Sequence, residues 1–141
     1  MVDAKARNYQ IARDYFAAVT AGDLPDAMLT PDMTGWITSG GVTMDKAQYQ
    51  HAIRLLSAML AGPLEFTIQA LTAEDDRVVA EATSVGALIN GEEYRQTYVF
   101  ILRIRDGKIA SVAEHYNAVI SQEKLVPLMA SAAARLNERS A

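Results

Sequence analysis

His115 is the residue whose type and position best suit proton chemistry in the stretch SVAEHYN. Side chains two apart on an extended strand share a face, so Ala113, His115 and Asn117 are expected to face one side together. Imidazole exchanges a proton near pH 7 more readily than other side chains. Asn117 can orient a water or a carbonyl but cannot exchange a proton at neutral pH. The structural alternative for His115 is a satisfied core or interface histidine. Tyr15 lies in an apolar helical stripe and carries a phenol into the interior, where its hydroxyl needs a partner. A side chain of the sheet is one such partner.

Ligand-binding candidates come from period-two alternation. In EYRQTYVFILRIR, residues Tyr94, Gln96, Tyr98, Phe100, Leu102 and Ile104 fall on one face, apolar except for one amide and two phenols. That face reads as a cavity wall, with Gln96, Tyr98 and Phe100 facing a substrate. Trp36, the single tryptophan, is expected to wall the same pocket or to fill the core. Tyr49 opens a helix and joins the pocket set, whereas His51 points away from that helix's Ile53 and Leu56. No metal is expected, because two histidines separated by 64 positions have no recognised ligand spacing. Ser39-Gly40-Gly41 lacks the helix opening of a phosphate loop or a serine elbow. Glu81 is a candidate acid only if its face turns inward, and otherwise it pairs with Arg95 or Arg103.

Positioning these residues requires a helix over Ala4 to Ala21, ended by Gly22, with Ile11, Ala12, Tyr15, Phe16, Ala18 and Val19 at helical spacing. A short helix is expected over Pro25 to Leu29 and a short strand over Met33 to Thr38. A further helix follows over about Lys46 to Leu60, capped by Thr43 or Asp45. Four strands come next, near Leu64 to Ala73, Arg77 to Ile89, Glu92 to Arg105 and Lys108 to Ile120. Asn90-Gly91 and Asp106-Gly107 supply the positive φ of tight hairpin turns. From Ser121 the helical pattern returns and forms a C-terminal extension over 121–138. The fold class is α+β, with helices covering one face of an antiparallel sheet.

The 141 residues form one domain, half of them hydrophobic, enough for a sizeable core. The net charge is −4 with scattered basic residues, which argues against nucleic acid binding. No cysteine is present, so disulfide and thiolate chemistry are excluded and a reducing compartment is suited. No apolar run approaches the ~18 residues of a membrane span. A cytoplasmic location without membrane contact is the expectation.

Asp106 to Ile109 followed by Glu114, His115, Tyr116 and Asn117, together with ARDYFAAVTAGDL over Ala12 to Leu24, resembles the SnoaL-like group of the nuclear transport factor 2-like superfamily. The resemblance covers roughly residues 6 to 120 and implies a cone-shaped curved sheet wrapped around the N-terminal helix, with the C-terminal helix as an addition. It also implies a catalytic role for Tyr15, as oxyanion donor, because ketosteroid isomerases of this superfamily carry a tyrosine at the matching place. Their two catalytic aspartates fall here near Ile37 and near Val99 or Phe100, so isomerase chemistry of that kind is not supported. Cyclases and epoxide hydrolases of the group use an aspartate where Asn117 stands, and His115 with Asn117 is the substitute pair. The arginine and aspartate of the hydrolases have no match, because Tyr94, Gln96 and Tyr98 occupy that pattern.

The expected function is a cofactor-independent acid/base enzyme, an isomerase, cyclase or hydratase/hydrolase, acting on a small apolar, oxygen-bearing molecule. Its alternatives are a non-catalytic ligand-binding module and a dimeric assembly module with a filled cavity. Val99 and Ile101 on the outward sheet face predict a homodimer.

Overall fold

The computed structural model describes residues 3–140. Helix α1 (Ala4–Ala21) begins at Asp3, whose side chain accepts the Lys5 N–H, and ends at Gly22. At φ 93°, Gly22 adopts the left-handed conformation and donates to the Ala18 and Val19 carbonyls. Ala12, Tyr15, Phe16 and Val19 form its buried stripe. After it come β1 (Leu29–Ile37), β2 (Thr43–Asp45), α2 (Lys46–Ala58), β3 (Glu65–Glu74), β4 (Arg77–Ala87), β5 (Glu93–Arg105) and β6 (Lys108–Tyr116). The chain closes with α3 (Ala118–Lys124) and α4 (Met129–Ser140).

The sheet is curved and open, in the order β2-β1-β6-β5-β4-β3. It is not antiparallel throughout, since β1 runs parallel to β6. This pairing is possible because α2 and four strands intervene, which supplies the long crossover a parallel pair needs. α1 lies against β3 and β4, and α2 lies against β1 and α4. Edge-on contacts of Phe16 and Tyr15 with Phe100, at 4.9 and 5.8 Å between ring centres, tie α1 to β5. Such pairs contribute about 0.5–1.5 kcal/mol each beyond the area they bury.

Several boundaries differ from the sequence reading. Pro25 to Leu29 makes only a 3-10 turn at Asp26–Met28, and β1 starts four residues before the expected Met33. Pro31 is accommodated because the β1–β6 register is irregular between Leu29 and Thr34, where no ladder donor is required. The short edge strand β2 was not expected; it pairs with β1 and ends on Asp45, which caps α2 in a reciprocal capping box with Gln48. β6 ends at Tyr116 rather than Ile120, because Asn117 caps α3. The C-terminal extension therefore starts at Ala118 and breaks at Val126–Leu128, around Pro127.

The two hairpin turns differ in type. Asp106 and Gly107 both have positive φ, 54° and 75°, as a two-residue turn demands. At Asn90-Gly91 only Gly91 does, at 87°, and the Gly91 N–H closes on the Leu88 carbonyl within a longer loop.

β6 carries the most consequential departure. The Asp106-Gly107 turn pairs Arg105 with Lys108 and Ile104 with Ile109, but Arg103 then pairs with Ser111. Ala110 is the extra residue of a β-bulge, and a one-residue slip sends every later side chain to the other face. Phe100 therefore faces Glu114, and Val99 faces His115. Val112 and Glu114 are buried and His115 is exposed.

Candidate functional site

Alternation on β5 holds as read: Tyr94, Gln96, Tyr98, Phe100, Leu102 and Ile104 are all buried, between exposed or half-buried neighbours. Above this wall, a cavity of about 130 Å³ lies between α1, α2, the sheet and the C-terminal helices. Its closed end is made by Tyr15, Phe100 and Glu114. Toward solvent it is bounded by Leu55 and Leu56 of α2, Leu125, and Met129, which is 46% exposed. The C-terminal segment thus walls the mouth.

Glu114 is the ionisable carboxyl of this cavity, and among the described residues no lysine, arginine or histidine shares the lining. Its Oε2 accepts a hydrogen bond from the Tyr49 hydroxyl. The Tyr49 oxygen lies 2.6 Å from that of Tyr15. Burial pushes the Glu114 carboxyl up to about 7, opposed in part by the Tyr49 bond, which favours the charged form. Both phenols are held well above their usual range, first by burial and then by the negative Glu114. The arrangement depends on Gly35 of β1, where a Cβ would overlap the Tyr49 ring. Thr38, just after β1, fixes the Glu114 backbone, its hydroxyl donating to the Glu114 carbonyl at 3.0 Å.

Of the residues picked out in the sequence, Tyr15, Tyr98 and Phe100 line the cavity, and Tyr49 lies directly behind Glu114. Tyr98 is tied to Ser84, hydroxyl to hydroxyl, at 2.8 Å, and burial raises its ionisation point. Gln96 is buried on the same face with a structural task. Its Nε2 donates to the Asn117 carbonyl at 3.0 Å, and its Oε1 accepts the Asn117 N–H at 3.1 Å. It thereby clamps the joint between β6 and α3.

His115, Asn117 and Trp36 lie elsewhere. His115 is on the outer face, its ring 4.9 Å from that of Trp36, so neither reaches the cavity. The cause for His115 is the bulge at Ala110. Asn117 is exposed and its side-chain oxygen accepts the N–H groups of Val119 and Ile120, which makes it the N-cap of α3. Glu81 is exposed opposite Val99, while Arg95 and Arg103 pair with Glu93 and Asp76 instead. Glu114 was missed because unbroken alternation from the Asp106-Gly107 turn places His115, not Glu114, beside the inward Tyr98. The available signal was an acidic residue two places from Val112 and two from Tyr116 in a strand otherwise poor in charge. Among the described residues, no group of three or more His, Cys, Asp or Glu could hold a metal ion. No helix among them is long and apolar enough to cross a membrane.

The model of the SnoaL-like domain family matches residues 12–112. Among solved structures, PrhC from Penicillium brasilianum is similar at 15% identity with a TM-score of 0.77, over 94% of each chain. IdmH from Streptomyces antibioticus, named as a candidate polyketide cyclase, is 17% identical with a TM-score of 0.72, over 84% of this chain and 97% of its own. A nuclear transport factor 2-like protein from Anabaena variabilis is 18% identical with a TM-score of 0.71, over 83% of this chain and 94% of its own. No curated protein matches the sequence.

Proposed function

This chain belongs to the SnoaL-like domain family, of the nuclear transport factor 2-like superfamily, and we propose that it is a cofactor-independent acid/base enzyme acting on a small apolar, oxygen-bearing molecule. The observation that carries this reading is Glu114: a carboxyl buried at the closed end of an apolar cavity and poised at about 7. A group with that affinity for protons both takes and returns one near neutral pH. In the step envisaged, the Glu114 carboxylate removes a proton from carbon next to a carbonyl. The electrons of the C–H bond form the C=C bond, the carbonyl oxygen takes the negative charge, and the neutral carboxyl returns the proton at the same or another atom. The name of IdmH, a candidate polyketide cyclase, is in keeping with chemistry on such oxygenated apolar substrates.

Deuterium uptake by phenylacetone in D2O tests the reading. Exchange at the carbons flanking the carbonyl is expected to exceed that in buffer alone, to rise with pH through about 7, and to disappear in Glu114→Gln. Binding of the ketone with no exchange above buffer would instead identify a ligand-binding module. We also propose that two copies pair through the outer sheet face, where Val99 is 40% exposed beside half-buried Ile101 and Trp36. A monomer by light scattering at micromolar concentration would overturn the pairing.

A further inference from the structure

The hydrogen bonds around Glu114 have a direction, and it determines what the closed end of the cavity can hold. A tyrosine hydroxyl has one proton to give. While Glu114 is charged, Tyr49 spends its proton on Oε2. The contact between the two phenols, 2.6 Å long, must then be donated by Tyr15. Tyr15 consequently presents only lone pairs to the cavity it lines. The other carboxylate oxygen, Oε1, makes no hydrogen bond to the described residues, although Glu114 lines the cavity. From the packed elements, Glu114 faces Tyr15 of α1, Tyr49 of α2 and Tyr94 and Tyr98 of β5, and no cation lines the cavity among the described residues.

We propose that this end of the cavity selects a hydrogen-bond donor, a phenol- or enol-type hydroxyl on a single ring, and that Tyr49 is the positioning residue that imposes the selection. The proposal rests on the reading of Glu114 as the reacting group and names the ligand class for that same site. Ring size follows from volume: about 130 Å³ compares with the apolar cavity of about 150 Å³ that holds benzene. The absence of a cation from the lining argues against a carboxylate or phosphate ligand, whose charge would be buried unpaired beside Glu114. While Glu114 is charged, a ligand oxygen that can only accept meets Oε1 and the Tyr15 lone pairs with no proton between them, so a ketone binds weakly. A hydroxyl satisfies one of them directly. Once Glu114 has taken the proton, Tyr49 can turn its hydroxyl to Tyr15 and Tyr15 its own to the oxyanion formed. Tyr49 holds the carboxyl while not itself lining the cavity, so its effect reaches the ligand through Glu114 and Tyr15.

The test uses two matched probes on the whole protein, p-cresol as donor and 4-methylanisole as acceptor only, with Glu114 followed by carboxyl carbon NMR. At pH 8, p-cresol is expected to bind about ten- to a hundredfold tighter than 4-methylanisole, the range for one hydrogen bond to a charged group. The preference shrinks at pH 6, where Glu114 is mostly protonated. Tyr49→Phe keeps the ring and removes the link, so the Glu114 midpoint is expected to rise by about one to two pH units. Its freed Tyr15 hydroxyl then narrows the gap between the probes. Tyr15→Phe, with Tyr49 intact, is expected to move the midpoint less and to weaken neither probe's dependence on Glu114. Equal affinity for the two probes at pH 8, or an unmoved midpoint in Tyr49→Phe, overturns the proposal. A wild-type midpoint near 4.5 sinks the acid/base reading instead, and leaves the donor preference to be decided by the affinities alone.

Discussion

Glu114 and His115 are consecutive residues of β6, yet the sheet gives them opposite surroundings. On the concave side, Glu114 meets Tyr49 and Tyr15 at the closed end of a cavity, and burial moves its proton affinity toward neutrality. On the convex side, His115 is exposed and rests against Trp36. Imidazole has the better intrinsic proton affinity for work at pH 7, but here the carboxylate has the better location. The lesson is that environment supplies reactivity: desolvation does for a glutamate what its ordinary value of 4.5 does not.

The contrast is broken most directly by Glu114→Gln. Removing a positioned acid/base group lowers turnover about 10²- to 10⁴-fold, and the deuterium uptake described above should fall by that factor. A loss smaller than tenfold would move the chemistry away from the concave side. The second effect is on stability. Glu114 has a folded-state value raised to about 7 from 4.5, so the folded protein holds this proton more tightly than the unfolded chain does. The resulting stabilisation is complete below about 4.5 and is lost as pH rises to about 7, a change of about 3 kcal/mol. Urea unfolding of wild type and Glu114→Gln at pH 4.5 and 8 checks this, since the glutamine variant lacks that titration. It should gain about 3 kcal/mol relative to wild type over the interval.

Gly35→Ala sharpens the comparison from behind the site. The added methyl overlaps the Tyr49 ring, and overpacking of this kind costs about 1–3 kcal/mol. Thermal denaturation should show the loss, and carboxyl carbon NMR should show a shifted Glu114 midpoint in the same variant. At the rim, Asn117→Ala removes the cap of α3 and should cost about 1 kcal/mol by urea unfolding, with deuterium uptake per folded molecule retained. Smallest of all is His115→Ala, expected to change stability by no more than about 0.5 kcal/mol and to leave activity intact. A large activity loss there would mean that the convex side takes part.

Much of the concave wall was legible because alternation on β5 is unbroken over its thirteen residues. The α1 stripe was legible too, since Tyr15 and Phe16 repeat at helical spacing with Ala12 and Val19. Tyr49 was picked out as a pocket residue, but its bond to Glu114 joins positions 65 apart. No local pattern encodes such a contact. Gln96 was read correctly as inward, yet its amide is used on the Asn117 backbone rather than in the cavity.

What the sequence determined by itself was local: which residues form helix or strand, where Gly22 and Gly107 turn the chain, and which side of β5 is apolar. These follow from backbone preferences and periodicity, which act within a few residues. Tertiary structure decided the phase of β6, because the bulge at Ala110 exists only in its pairing with β5. It also decided the proton affinity of Glu114, because burial under α1 and α2 is a property of the packed chain and not of the glutamate.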